Sequence, residues 1–189
     1  MTSPARLHRL ERVMRVERPL REVFDFFADA ANLEAITPAF LRFRILTPLP
    51  IDMRAGARIE YTLSLFGVPL RWQTRITEWE PDVRFVDEQE SGPYSVWRHT
   101  HEFEADGNST IVKDVVEYRE PLGPLGQVAH ALFVTRALAR IFDHRREAIS
   151  RLLGAEERRA PPLTGEGSAA QPRDPPPGPQ DLRSPPTAG

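Results

Sequence analysis

The sequence predicts an α+β fold in the order β-α-α-β6-α: an antiparallel sheet of about seven strands covering a long C-terminal helix, with a disordered tail behind it. Three observations carry this. Residues 125–153 hold the only long stretch of helical period. Residues 57–119 alternate with period two, broken by four clusters of turn residues. Beyond Gly154 both patterns stop.

The helix comes first because it needs covering. Val128, Leu132, Thr135, Leu138, Phe142, Ile149 and Leu152 step by three, four or seven residues and so share one face. Phe133, Ala137, Ile141 and Ala148 widen that face, and Arg136, Arg140, Arg145, Arg146 and Arg151 fall mostly on the other side. Gly and Pro residues from Pro121 to Gly126 punctuate the start, and Gly154 suits the stop. At 1.5 Å per residue the helix is about 40 Å long, and its apolar face is too wide for solvent.

Ahead of it, Leu10 to Val16 alternates as a first strand. Pro19 opens a helix whose apolar face is Val23, Phe24, Phe26, Phe27 and Ala28. Asn32 is expected to cap a second short helix that Pro38 ends. Phe43 to Thr47 is a short strand. Five longer strands follow at 57–65, 70–79, 84–90, 95–105 and 110–119. The breaks between them, Phe66-Gly67-Val68-Pro69, Glu80-Pro81-Asp82-Val83, Ser91-Gly92-Pro93-Tyr94 and Asp106-Gly107-Asn108-Ser109, are turn chemistry.

Charge complementarity suggests the register. Pairing Leu65 with Leu70, Trp79 with Arg84, Glu90 with Val96 and Ala105 with Thr110 aligns Glu60, Arg75, Glu88, Arg98 and Glu117 in one outward row of alternating sign. Each such pair contributes a few tenths to about 1 kcal/mol. A slip of one residue would turn the aromatic residues of a strand into water. The same register sets Asp87 beside His99, His101 beside Asp114, and Trp97 between Gln89 and Tyr118. An inner face that is largely aromatic yet holds Thr74, Asp87, Gln89, His99, His101 and Asp114 is unlike a dry core, since buried polar groups are costly unless paired. It suits a cavity wall, apolar with a few placed polar groups.

The segment 154–189 carries nine of the 19 prolines and no aromatic residue. It cannot bury enough apolar surface to offset its conformational entropy. The expected division is therefore a ligand-binding domain at 1–153 and a disordered, proline-rich tail at 154–189. Net charge is −2, which gives no electrostatic draw toward nucleic acid. There is no cysteine, which excludes disulfides and thiolate chemistry. No signal-peptide pattern and no run of 18 apolar residues is present, so no stable membrane insertion is expected, and the domain is expected to be cytoplasmic. No oligomeric state is assigned.

Val23-Phe24-Asp25-Phe26-Phe27-Ala28-Asp29, then Asn32-Leu33, Ile36-Thr37-Pro38 and Phe43, resembles the opening of the SRPBCC superfamily. That group holds START-like lipid-transfer proteins, polyketide cyclases, coenzyme Q-binding proteins and birch-pollen-allergen-like proteins. Trp97-x-His99-x-His101-x-Phe103, with Asp114-x-Val116-x-Tyr118 and Pro121-Leu122-Gly123, is similar to the bacterial ligand-binding SRPBCC group. The resemblance spans about Leu10 to Leu153. It implies a helix-grip fold, in which a curved sheet grips the last helix around a cavity for a hydrophobic molecule. It implies no fixed catalytic set.

Two functional readings follow. In the first, the domain binds or carries a small hydrophobic ligand: Tyr61, Trp72, Trp97 and Tyr118 pack its body, and Thr74, Gln89, His99, His101 and Asp114 meet its polar end. In the second, a His101–Asp114 or His99–Asp87 pair serves a cyclase or dehydratase as general acid or base. No nucleophile, phosphate loop or cofactor motif accompanies the pair, and no cofactor is assigned. His99 and His101 with the two aspartates also have the spacing of a metal set. Asp–His pairs that lock a tautomer are the plainer account, so no metal is assigned. Arg12 is read as facing outward, with an inward position near Asp114 as the alternative. An interaction role for the tail is a third class of reading.

Overall fold

Alternation in the sequence becomes alternation in space. The computed structural model describes residues 6–65, 67–121 and 134–156. Strand β1 (His8–Val16) is followed by helix α1 (Leu20–Ala28), two 3₁₀ turns (Ala30–Leu33 and Ala39–Leu41) and the short β2 (Arg44–Ile45). A meander of β3 (Arg58–Leu65), β4 (Val68–Glu80), β5 (Arg84–Ser91), β6 (Val96–Asp106) and β7 (Ser109–Arg119) leads to helix α2 (Thr135–Leu153). Two further residues, β8 (Ala155–Glu156), pair with β1. The antiparallel sheet runs β2-β3-β4-β5-β6-β7-β1-β8. Residues 125–133 of the expected helix and the tail beyond 156 lie outside the described residues.

Pro19 stands one position before the first turn expected of it, as the N-cap residue of α1. The second short helix differs: Asp29, not Asn32, caps it, its Oδ1 accepting from Ala31 N at 2.9 Å. Asn32 lies inside that turn and donates from Nδ2 to Phe26 O at 2.9 Å, tying the turn to α1. Phe24 docks α1 on the sheet through edge contacts with Trp79, Phe85 and Phe103, ring centres 5.4, 6.1 and 5.3 Å away. Such pairs add about 0.5–1.5 kcal/mol each beyond the area they bury.

The register agrees with expectation in β5–β6–β7, where Asp87 faces His99, His101 faces Asp114 and Trp97 faces Tyr118. It differs by two residues in the β3–β4 hairpin. Leu65 pairs with Val68, not Leu70, because the turn is two residues long and Gly67 supplies the positive φ of 83° it needs. Glu60 therefore leaves the expected charge row and faces Gln73, forming an ion pair with Arg71 instead. The rest of the row stands: Arg98 lies 3.1 Å from Glu88, 3.8 Å from Glu117 and 2.7 Å from Glu78.

The β4–β5 ladder also departs twice, by a shift between Gln73 and Thr74 and by a bulge between Ile76 and Glu78. The bulge absorbs one residue, so Trp79 pairs with Phe85 and joins the core that strict alternation would have turned it away from. The expected inner face otherwise holds, with Ile59, Trp72, Ile76, Phe85, Phe103, Val112, Val116 and Tyr118 all buried.

On α2 the buried stripe includes Leu138, Phe142, Ile149 and Leu153, while Thr135 and Leu152 are exposed. Arg145 continues this stripe rather than the solvent face. Gly154 ends the helix at φ 71°, its N–H donating to Ser150 O at 2.8 Å and its carbonyl accepting from Glu17 N at 3.0 Å. The helix end is thereby fastened to the end of β1.

Candidate functional site

The sheet and α2 enclose a cavity. The space open to the centre of a water molecule is about 180 Å³, many times the roughly 10–15 Å³ that one water needs. Its wall is mostly apolar. The sheet contributes Ile59, Leu63, Trp72 and Trp97, the helix contributes Leu138, Ile141 and Phe142, and α1 with the following turns contributes Phe26, Phe27, Leu33 and Ile36.

Of the residues expected at the site, Tyr61, Trp72, Thr74, Asp87, Trp97, His99 and His101 line this cavity. Gln89, Asp114 and Tyr118 are not part of its lining. Gln89 folds back on its own loop, donating from Nε2 to Tyr94 O at 2.6 Å and accepting from Tyr94 N at 3.2 Å. A Cβ on Gly92 would lie only 2.4 Å from Gln89 Oε1, so the glycine leaves room for this arrangement. Tyr118 packs behind the wall against Trp97 and Tyr94, at 6.0 and 5.8 Å between ring centres. Asp114 sits beneath the histidines.

Two histidines and two aspartates gather in one corner. β6 places His99 and His101 two residues apart, hence on one face, with ring centres 3.9 Å apart. β5 brings Asp87 from one side and β7 brings Asp114 from the other. The contacts are crossed rather than paired. His99 Nε2 lies 3.1 Å from Asp114 Oδ1, and its Nδ1 lies 3.6 Å from Asp87 Oδ2. His101 Nε2 lies 3.2 Å from Asp87 Oδ2, and its Nδ1 lies 2.7 Å from Asp114 Oδ1, outside hydrogen-bond alignment. Each imidazole therefore touches both carboxylates. The Thr74 hydroxyl donates to Glu88 O at 3.0 Å and lies 3.2 Å from Asp87 Oδ1.

A residue that the sequence pattern put in solvent completes the corner. Arg145 of α2 sets Nε 3.7 Å from Asp114 Oδ2, and its guanidinium lies 5.2 Å from the centre of the Phe27 ring. Its side chain is 13% exposed. The signal was present: Arg145 stands three residues after Phe142 and four before Ile149, on the apolar stripe itself. Arg12 also departs from the outward reading. It shares the face of Met14 and Val16, pairs with Asp114 across the ladder, and lines a small crevice with Asp114, Phe142 and Arg145.

Electrostatics separates the two histidines. Burial, reinforced by the neighbouring His101, lowers the pKa of His99 against the pull of Asp114 and Asp87. Burial also opposes charge on His101, but Asp114 and Asp87 outweigh it and raise its pKa. Burial alone would raise Asp114, yet Arg145 and then His101 hold it well below the usual carboxylate range. Partial burial of Asp87 would raise its pKa, but the hydrogen bond from His101 and the proximity of His99 lower it. The corner thus favours protonation of His101 over protonation of His99. Near it, Trp72 Nε1 is buried without a hydrogen-bond partner.

A sheet gripping a C-terminal helix over an apolar cavity with one polar corner defines the helix-grip class. The chain belongs to the family described as polyketide cyclase / dehydrase and lipid transport, whose profile matches residues 16–144, within the SRPBCC superfamily. No curated protein matches the chain. Among solved structures it is similar to a protein from Thermus thermophilus (TM-score 0.61, 17% identity, covering 78% of this chain and 97% of that one). It is similar to a START superfamily protein from Mycobacterium smegmatis (TM-score 0.59, 12% identity, 78% and 97%). It also resembles norcoclaurine synthase from Thalictrum flavum (TM-score 0.56, 16% identity, 78% and 87%). At these identities the likeness concerns the fold. No described helix is long and apolar enough to cross a membrane.

Proposed function

We propose that the domain binds a small, largely hydrophobic molecule between the sheet and α2, with a polar group of that molecule at the histidine corner. The observation that carries this is the cavity itself, apolar over most of its wall, with Asp87, His99, His101 and Arg145 gathered as one polar cluster within it. That is the composition of a ligand pocket rather than of a packing defect. Trp72 and Trp97 meet edge to face at 5.2 Å and supply a rigid aromatic wall. The unpartnered Trp72 N–H gives a ligand acceptor somewhere to bind. The family description, which includes lipid transport, supports the same reading.

Catalysis is the second reading, and one observation favours it. His99 Nδ1, 3.6 Å from Asp87, is the one ring nitrogen of the pair that stands beyond hydrogen-bond reach of a carboxylate. It is the nitrogen from which a cavity-bound substrate could be served by a general base, as the cyclase and dehydrase half of the family description suggests.

Native mass spectrometry of the full chain purified from its own host tests the proposal. A discrete adduct released on unfolding is expected. A protein that carries no adduct and takes up no apolar probe would oppose the proposal. If the ligand is also transformed, His99→Gln should reduce turnover by roughly 10²–10⁴-fold with binding kept.

A further inference from the structure

We propose that Asp87, His99 and His101 bind one divalent first-row transition ion at the polar corner, with Asp114 as the group that orients both imidazoles. The inference goes beyond hydrophobic ligand binding and does not depend on it.

The argument starts from three atoms: Asp87 Oδ2, His99 Nδ1 and His101 Nε2. Each of the three residues offers a ligand atom within 4.8 Å of those of the other two. The carboxylate oxygen is 3.6 Å from the first nitrogen and 3.2 Å from the second. Ligands held about 2.0–2.2 Å from a common ion stand roughly 3.0–3.5 Å apart. Two of the three edges are therefore close to coordinating length already. Neighbouring strands carry the residues, with Asp87 directly opposite His99 in the ladder. The sheet fixes the triad more firmly than loops could.

The remaining ring nitrogens supply the second, independent line. His99 Nε2 and His101 Nδ1 both turn to one oxygen, Asp114 Oδ1, at 3.1 and 2.7 Å. Metal-binding histidines commonly donate their other N–H to such a carboxylate, which fixes tautomer and ring angle. Here Asp114 Oδ1 bonds His99 Nε2 in this way and lies against His101 Nδ1, and Arg145 balances its charge from the helix. Asp114 is thereby committed to the outer layer. Three protein ligands remain, and all three line the apolar cavity, so a water or a ligand oxygen would complete the sphere.

A proton network is the rival account of the same atoms, and it serves them less well. His99 Nδ1 is left 3.6 Å from Asp87 Oδ2, beyond hydrogen-bond distance. An ion at the triad takes up His99 Nδ1 and replaces the proton between His101 Nε2 and Asp87 Oδ2, which is released to solvent. Two imidazoles and one carboxylate suit borderline ions such as Zn²⁺, Fe²⁺ or Co²⁺ rather than Mg²⁺ or Ca²⁺.

The test uses the full-length protein, chelator-treated and titrated with Co²⁺, read by visible absorption, calorimetry and thermal unfolding. One equivalent is expected, with a visible band and a raised unfolding temperature, since the ion binds the native state. His99→Gln and Asp87→Asn should abolish saturable binding. Asp114→Asn should keep the stoichiometry and weaken affinity about 10–100-fold. His144→Gln, on the helix, should behave as wild type. Circular dichroism confirms that each variant is folded, and an apolar dye titrated into the same samples reads the cavity separately. Absence of saturable Co²⁺ and Zn²⁺ binding would overturn the proposal, as would binding that survives both His99→Gln and Asp87→Asn. Either result with dye binding intact leaves the hydrophobic cavity standing. Loss of dye binding with Co²⁺ retained would instead oppose the cavity alone.

Discussion

Arg145 Nε of α2 lies 3.7 Å from Asp114 Oδ2 of β7, joining the last helix to the polar corner of the sheet. Both side chains are largely withdrawn from water, at 13% and 6% exposure. Removing one member of such a pair strands the other charge at a cost of roughly 3–5 kcal/mol. Arg145→Met should therefore lower unfolding free energy by about that amount in denaturant titrations, and adding Asp114→Asn should recover part of it. A loss under about 1 kcal/mol for Arg145→Met would mean that Asp114 is compensated elsewhere.

The helix face gives a paired prediction. Phe142 is 7% exposed and meets the His99 ring at 5.7 Å, whereas Leu152 is 51% exposed. Phe142→Ala should cost roughly 3–5 kcal/mol, and Leu152→Ala should fall within about 0.5 kcal/mol of wild type. Equal effects of the two would require rotating α2 about its axis.

All three tyrosines of the chain, Tyr61, Tyr94 and Tyr118, have raised pKa values. Burial is the leading cause for each, and Tyr118, which also faces Glu120, is pushed up to about 12. The folded state thus prefers the neutral phenol. The stabilisation is full below the unfolded value near 10 and is lost as pH rises above it. Native protein should show little tyrosinate absorbance at a pH near 10, with the signal arriving together with alkaline unfolding. Ordinary titration of even one tyrosine in folded protein would contradict the burial described for the aromatic wall.

The tail is expected to add nothing to the fold. Residues 157–189 hold no aromatic anchor and nine prolines. Deleting them while keeping Ala155–Glu156, which pair with β1, should shift the melting temperature by less than about 2 °C, under 1 kcal/mol for a domain of this size. A larger fall would show that the tail packs on the domain.

Much of the fold was legible because side-chain alternation reports parity, and parity decides which face is buried. The β6 strand with its two histidines, the opposition of Asp87 and Asp114, and the expected order of elements all rest on parity. The hairpin between Leu65 and Val68 was not legible for the same reason: a slip of two residues preserves parity, so neither hydrophobicity nor the outward face could detect it. The bulge after Ile76 was hidden because it changes parity within a strand. Arg145 was misread because charge was taken to mean solvent, although its spacing from Phe142 and Ile149 placed it inside. Gln89 was read as a ligand contact from its parity, and local bonding to the Tyr94 backbone claimed it instead. The crossed contacts of the two histidines depend on side-chain torsions that no sequence pattern encodes.

The most direct test of the central claim fills the cavity. Leu63 lines it from β3. An apolar environment-sensitive dye is titrated into wild type and Leu63→Trp, both folded by circular dichroism, with dye emission as the signal. Wild type should bind one equivalent saturably, and the filled variant should bind at least ten times more weakly, a difference of about 1.4 kcal/mol. Equal binding by the two, or no binding by wild type, would contradict the account of this cavity as a ligand site.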